Sequence, residues 1–171
     1  MKQRVNVQFH QLRESNARLR VHQGGTRSGK TYAVCQYLIY LLTESKDPLV
    51  ISIIRKTLPA LKGSVQRDFL EIAENVGMFD DGAIFNKVEG QFLYNGHLVE
   101  MLSVDDSQKI RGRKRNIAFL NEANELNLED FRQINMRCTD YMILDFNPSD
   151  PVHWIYDEII PREDCDTWIT T

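Results

Sequence analysis

Apolar and polar positions switch between two periods along the chain, and the switches divide it into elements. Arg18-Leu19-Arg20-Val21-His22-Gln23 alternates and runs into Gly24-Gly25, the pattern of a strand entering a turn. Tyr32, Ala33, Gln36, Tyr37, Tyr40 and Leu41 then recur at three and four, which predicts a helix from Gly29 that Lys46-Asp47-Pro48 stops. Leu49 to Ile54 is a short β-branched run between turn signals, the mark of a buried strand. Leu61, Val65, Phe69, Ile72, Ala73 and Val76 predict one helix over 58–76, with Gly77 in the place of a C-terminal cap. The period then returns to two. Ile84, Phe85 and Val88 lead into 91–94 and 97–102, and Asn95-Gly96 between these runs predicts a hairpin. Ile117–Leu120 and Tyr141–Leu144 read as further buried strands, 126–138 as a helix and 153–160 as a short helix before Pro161. Residues 1–16 are polar and mixed, fitting a helix or an arm. Strands alternating with helices predict an α/β domain with a mostly parallel central sheet flanked by helices, the hairpin being an antiparallel addition. Residues 1–171 read as one domain.

Composition narrows the class. The 171 residues are 42% hydrophobic and 26% charged, enough for a full core and unlike a collagen-like or disordered chain. The net charge of −3 excludes a uniformly basic coat for nucleic acid. It leaves room for a local patch, and Lys109–Arg115 carries five basic residues in seven positions. Cys35, Cys138 and Cys165 show no CxxC spacing, which argues against a disulfide scaffold or a zinc ribbon and fits reduced thiols in a cytosol. His10, His22, His97 and His153 are scattered without metal-ligand spacing. No run has the length of a signal peptide or a membrane span, so a soluble intracellular protein with no membrane role is expected.

Gly24-Gly25-Thr26-Arg27-Ser28-Gly29-Lys30-Thr31 matches G-x-x-x-x-G-K-[ST] at every fixed position, between a predicted strand and a predicted helix. Glycines permit a tight loop whose N–H groups turn inward on phosphate oxygens, and the helix that follows adds the positive end of its dipole. Lys30 is placed to reach the β- and γ-phosphates, and the Thr31 hydroxyl to ligate Mg²⁺. Such a loop needs a carboxylate at a neighbouring strand tip. Asn121-Glu122 follows the strand 117–120, where Asp-Glu is usual. Glu122 is the candidate for activating water, with Glu125 in reserve; the plainer reading of each is an acid at a helix start. Asn121 keeps an oxygen for the metal shell but no charge. Asn147, in Asp145-Phe146-Asn147-Pro148, ends the next strand and either reports on the γ-phosphate or starts a turn.

Four segments together, GGTRSGKT (24–31), IIRKT (53–57), KIRGRKRNIAFLNEANEL (109–126) and DFNPSD (145–150), resemble the ATPase half of the terminase large subunits of tailed phages, over roughly residues 9–171. The resemblance implies a P-loop NTPase of the ASCE type that hydrolyses ATP with Mg²⁺ to translocate double-stranded DNA into a procapsid. It also implies a homo-oligomeric ring on the portal, a small terminase subunit as partner, and the host cytoplasm as location. Members carry a nuclease domain after the ATPase, and no counterpart of it is expected within 1–171. By resemblance Gly24–Thr31 bind triphosphate, Thr31 and Asn121 serve the metal, Glu122 activates water, Asn147 couples hydrolysis to motion, and Gln11 recognises adenine. Arg27, inside the loop, is placed for an arginine finger in cis, and Arg111 for one reaching a ring neighbour. The basic cluster faces DNA or is a loop that carries the finger. Two other functions stay open: a helicase-like translocase of the same class, and a nucleotide-binding module with little turnover. A small-molecule kinase has less support, since no acceptor-site or lid signature is present.

Overall fold

The computed structural model describes residues 4–25 and 27–170, and at Ser107 and Lys109 it describes the backbone. The strands are β1 (Leu19–Gly24), β2 (Val50–Arg55), β3 (Ile84–Asn86), β4 (Gln91–Tyr94), β5 (His97–Ser103), β6 (Arg115–Leu120), β7 (Cys138–Phe146) and β8 (Cys165–Thr170). They form one sheet in the order β3-β4-β5-β2-β6-β7-β1-β8. Among the described residues pairing is antiparallel in the β3-β4-β5 edge and parallel elsewhere. The predicted mostly parallel sheet with a hairpin addition is what is found. Asn95 (φ 46°) and Gly96 (φ 81°) are both left-handed, as a two-residue hairpin turn requires.

A parallel sheet must be covered on both faces. Successive residues of the central strands therefore feed two separate cores. Ile51, Ile53, Ile117, Phe119 and Ile143 pack beneath α1 (Val7–Glu14), α2 (Lys30–Glu44) and α4 (Val65–Asn75). Ile54, Ala118, Leu120, Met142 and Leu144 pack with Ile110 of α5 (Ser107–Gly112) and Phe131 and Ile134 of α6 (Leu128–Asn135). Within the described part of residues 1–16 the open choice resolves as a helix over Val7–Glu14: Asn6 caps α1 by accepting from the Phe9 N–H, and the Phe9 ring meets Tyr37 and Tyr40 of α2 edge-on.

Several elements differ from the expectation: α5 is a helix that runs into the basic run, and the helix expected over 126–138 spans Leu128–Asn135, with Cys138 opening β7. The helix over 58–76 is two helices, α3 (Leu58–Gly63) and α4, broken at Ser64 (φ −132°, ψ −96°). The Ser64 hydroxyl donates to the Ala60 carbonyl and accepts from the Arg55 guanidinium, so tertiary bonds stabilise a break that the apolar spacing runs straight through. The helix at 153–160 is a single wide turn, Ile155–Ile159, in which the Ile160 N–H bonds to the Ile155 carbonyl at 3.0 Å. β8 has no counterpart in the sequence pattern, because Cys165-Asp166-Thr167-Trp168-Ile169-Thr170 is an edge strand, half-buried except for the exposed Ile169, whose order comes from parallel pairing with β1.

The polar face of β1 is buried as well. Arg20 donates to the Leu12 carbonyl (3.0 Å) and the Tyr37 hydroxyl (3.1 Å) and lies 3.6 Å over the Tyr141 ring. His22 is fully buried, stacked on Trp168, with neither ring nitrogen hydrogen-bonded. Burial, and secondarily the Lys30 ammonium, push its imidazole down from the ordinary 6.5 to about 4. Above pH 6.5 both states hold His22 neutral; between 6.5 and 4 only the unfolded chain takes the proton. Stability is therefore lost as pH falls through that window, by about 3 kcal/mol for this group. In urea titrations between pH 7 and 4, His22→Gln should flatten the fall in stability relative to the native chain.

Candidate nucleotide-binding and hydrolysis site

Parallel strands place all their carboxyl ends on one edge, and there the candidate residues meet. β1 delivers the loop 24–29, β6 delivers Asn121 and Glu122, and β7, which lies between them in the sheet, delivers Asp145 and Asn147. Two glycines of the loop are required by its path. A Cβ on Gly24 would stand 2.5 Å from the Thr170 carbonyl oxygen of β8, and Gly29 (φ 77°) turns the chain into α2. Thr26 lies outside the described residues. Lys30 is only 7% exposed, and its ammonium donates to the carbonyls of Gly24 (2.7 Å) and Gly25 (3.0 Å) and to Ser28 Oγ (3.0 Å). The amide of Gln8 donates to the Ser28 carbonyl at 3.3 Å and to Thr170 Oγ1 at 3.1 Å. The glutamine of α1 bonded to the loop is thus Gln8, and Gln11, the residue assigned to adenine by resemblance, lies on the same helix. The Gln11 Oε1 is buried one turn further on without a partner.

The tip of β6 carries an amide where an acid is usual, and a carboxylate stands beside it from β7. Asn121 Nδ2 donates to both oxygens of Asp145, at 3.0 and 3.1 Å, and lies 3.1 Å from Thr31 Oγ1. The Thr31 hydroxyl donates to Asp145 Oδ2 at 2.6 Å, and the Glu122 N–H to Asp145 Oδ1 at 2.8 Å. Asp145 is 1% exposed, and the Oδ1 of Asn121 is buried without a partner. Sequence reasoning assigns no role to Asp145. The available signal is a lone acid in the otherwise apolar run Tyr141–Phe146 of a strand covered on both faces.

Glu122 is half-buried and left-handed (φ 51°, ψ 55°), a conformation that costs a glutamate about 1 kcal/mol and is typical of functional sites. Its side chain lines a cavity of about 220 Å³ over the loop, together with Arg27, Ser28, Lys30 and Thr31. Burial, then the neighbouring Asp145 carboxylate, raises its pKa, while Arg55 and Lys30 oppose the rise. A carboxylate made more basic in this way suits the acceptance of a proton from water. Arg55, at the tip of β2, enters the sequence reading only as part of a motif; it pairs with Glu125 at 3.4 Å. Glu125, the reserve candidate, is an exposed partner of that arginine.

The arginines separate. Arg27 (φ 67°) lines the loop cavity. Arg111, on the last turn of α5, is exposed and borders a small cavity with Glu129 and Gln133 of α6. The run 109–115 is not one basic face. Arg113 pairs with the buried Glu100, and Arg115 is 1% exposed, donating to the Ile110 carbonyl at 3.0 Å. Arg115 is therefore withdrawn from the candidates for DNA contact. The side chain of Lys109 lies outside the described residues, and Arg111 and Lys114 are exposed. Asn147 follows β7 and is half-buried. The chain beyond it returns to the Glu122 turn: His153 Nε2 lies 2.9 Å from the Asn124 carbonyl, and the Trp154 indole N–H donates to the Leu126 carbonyl at 2.8 Å. The candidate coupling segment and the candidate water-activating residue are physically linked.

A phosphate loop on β1, with β7 inserted between it and the Glu122 strand, defines a P-loop NTPase of the ASCE type. The family model of the phage terminase large subunit matches residues 16–169, and the chain belongs to that family. No curated protein matches it in sequence. The structure is similar to the large terminase of a thermophilic bacteriophage (TM-score 0.84, 16% identity, covering 99% of this chain and 46% of that one). The same phage's large terminase in complex with ADP gives a TM-score of 0.80 at 17% identity, covering 96% of this chain and 44% of that one. The ATPase domain of the large terminase of Thermus phage P74-26 gives 0.77 at 15% identity, covering 98% of this chain and 80% of that one. The chain thus spans about half the length of the thermophilic-phage terminase it matches. Among the described residues no helix is long and apolar enough to cross a membrane.

Burial decides what the basic run does when it is mutated. Arg115→Met should lower stability in urea by about 2–3 kcal/mol, because the Ile110 carbonyl and Glu100 lose a buried donor and a nearby positive charge. Lys114→Ala, an exposed change, should stay within about 0.5 kcal/mol.

Proposed function

We propose that this chain is the ATP-hydrolysing motor domain of a terminase large subunit, which drives double-stranded DNA into a viral procapsid. The observation that carries the reading is that Glu122 lines one cavity with Lys30 and Thr31. Membership of the terminase family, and the ADP complex of the similar thermophilic-phage terminase, support it. Gly24–Gly29 would hold the triphosphate through backbone N–H groups, and Lys30 would move from the loop carbonyls to the β- and γ-phosphates. Glu122 orients the attacking water and takes its proton, and Arg27 neutralises charge that grows on the γ-phosphoryl group. Gln8 and Gln11 lie on the helix beside the loop and are the glutamines available to the base. Asn147 passes the change at the γ-phosphate to the segment that contacts the Glu122 turn.

The oxygen donors at the start of α2 and the end of β6 fit Mg²⁺: the Thr31 hydroxyl and the buried, unpartnered amide oxygen of Asn121 are hard ligands. When bound there, Mg²⁺ supplies charge neutralisation at the β- and γ-phosphates. The family reading further assigns a ring on the portal, a small terminase subunit as partner and assembly in the host cytoplasm. Arg111 is assigned to the ring neighbour's site and, with Lys114, to the surface open to DNA.

A second reading, a binding module with little turnover, draws on the amide at position 121. Turnover separates the two. Glu122→Gln should bind ADP within about threefold of the native chain and lose at least about 100-fold in ATP turnover. With Lys30→Ala as blank, the native specific rate should climb with protein concentration or with added double-stranded DNA. A rate that stays at the blank level despite tight nucleotide binding would leave the binding module. Equimolar mixtures of Arg111→Ala and Glu122→Gln should regain activity if Arg111 serves its neighbour. No recovery at any ratio would remove that role.

A further inference from the structure

We infer that Asp145, on β7, supplies the carboxylate of the Mg²⁺ site that the tip of β6 lacks. This rests on the nucleotide reading above and names a residue within it. β6 and β7 pair in parallel with Leu120 opposite Leu144, so Asn121 and Asp145 stand side by side at the same level of the sheet. Compared with the usual acid after the β6 run, the negative charge has moved one strand sideways. That strand is the neighbour of β1, and the move brings the carboxylate against Thr31 rather than away from it: the hydroxyl donates to Asp145 Oδ2 at 2.6 Å.

Three features say that this carboxylate does more than brace the turn. It is 1% exposed, yet the groups hydrogen-bonded to it, Thr31 Oγ1, Asn121 Nδ2 and the Glu122 N–H, are all neutral. The nearby Lys30 ammonium is bonded to Gly24, Gly25 and Ser28 instead. A buried carboxylate is costly without a cation, and a divalent ion between it and the phosphates provides one. The asparagine is also the matched neighbour for this arrangement. Two carboxylates about 3 Å apart would repel and one would protonate, whereas an amide turns its Nδ2 to both Asp145 oxygens. That orientation leaves Asn121 Oδ1 buried and unpartnered, as a neutral second oxygen for the ion or its water.

The test reads metal rather than turnover. Binding of a fluorescent ADP is titrated with the native chain, Asp145→Asn and the exchange Asn121→Asp/Asp145→Asn, each in Mg²⁺ and in EDTA. The native chain should bind about tenfold or more tightly in Mg²⁺ than in EDTA. Asp145→Asn should lose that difference while its affinity in EDTA stays within about threefold, because the loop is intact. The exchange, which returns the acid to β6, should restore the difference. Where Asp145→Asn does not fold, Asp145→Ser keeps an acceptor for Asn121 and Glu122 without the charge and is expected to behave in the same way. A Mg²⁺ effect that survives removal of the Asp145 charge overturns the inference, as does an equal loss of affinity in Mg²⁺ and EDTA, the mark of a purely structural brace. If the native chain binds nucleotide in neither condition, the nucleotide reading itself fails, and that result is distinct from both.

Discussion

The carboxylate of Asp145 accepts hydrogen bonds from three residues in two segments that are distant in sequence: Thr31 at the start of α2, and Asn121 and Glu122 at the end of β6. Much of the site's geometry follows from that convergence. It joins the phosphate loop to the Glu122 turn through one buried group. It also accepts from the backbone N–H of Glu122, a residue held in a left-handed conformation that few glutamates adopt. Because the interior has a low effective dielectric, each of these bonds is stronger than its counterpart in water, and losing one partner would leave the others exposed to the cost of an unmatched charge.

The sheet makes the convergence possible. Parallel β1, β7 and β6 end at one edge, and their order puts the Asp145 strand between the other two. The faces are sealed by helices, and the buried polar groups of the central strands meet that constraint differently: Arg20 is compensated by the Leu12 carbonyl and the Tyr37 hydroxyl, His22 is held neutral, and Asp145 is aimed at the edge. β8 closes the far side of β1, and its Thr170 carbonyl restricts position 24 to glycine and its hydroxyl receives the Gln8 amide. The segment after β7 then folds back on the Glu122 turn through His153 and Trp154, so the groups that would sense phosphate loss and those that would activate water are joined by hydrogen bonds.

The phosphate loop is legible because its chemistry is local: glycine spacing, one lysine and one threonine within eight residues. The hairpin is legible for the same reason, since Asn95-Gly96 specifies its own turn. Elements that depend on contacts between one element and another are not. The break at Ser64 is stabilised by the guanidinium of Arg55, β8 by its pairing with β1, and the burial of Arg115 by the Ile110 carbonyl of α5. In the one-dimensional chain Arg115 is one more cation in a basic run. In the fold it is part of the core.

By itself, the sequence determined the fold class, the position of the loop and the identity of Glu122 at a strand tip, because hydrophobic period and turn chemistry act over a few residues. Tertiary structure alone decided which glutamine touches the loop, which arginines remain at the surface and which acid stands beside Thr31. Those choices depend on strand order and register: Asp145 lies 114 residues from Thr31 in the chain, and only the pairing of β7 with both β1 and β6 brings its carboxylate within 2.6 Å of the hydroxyl.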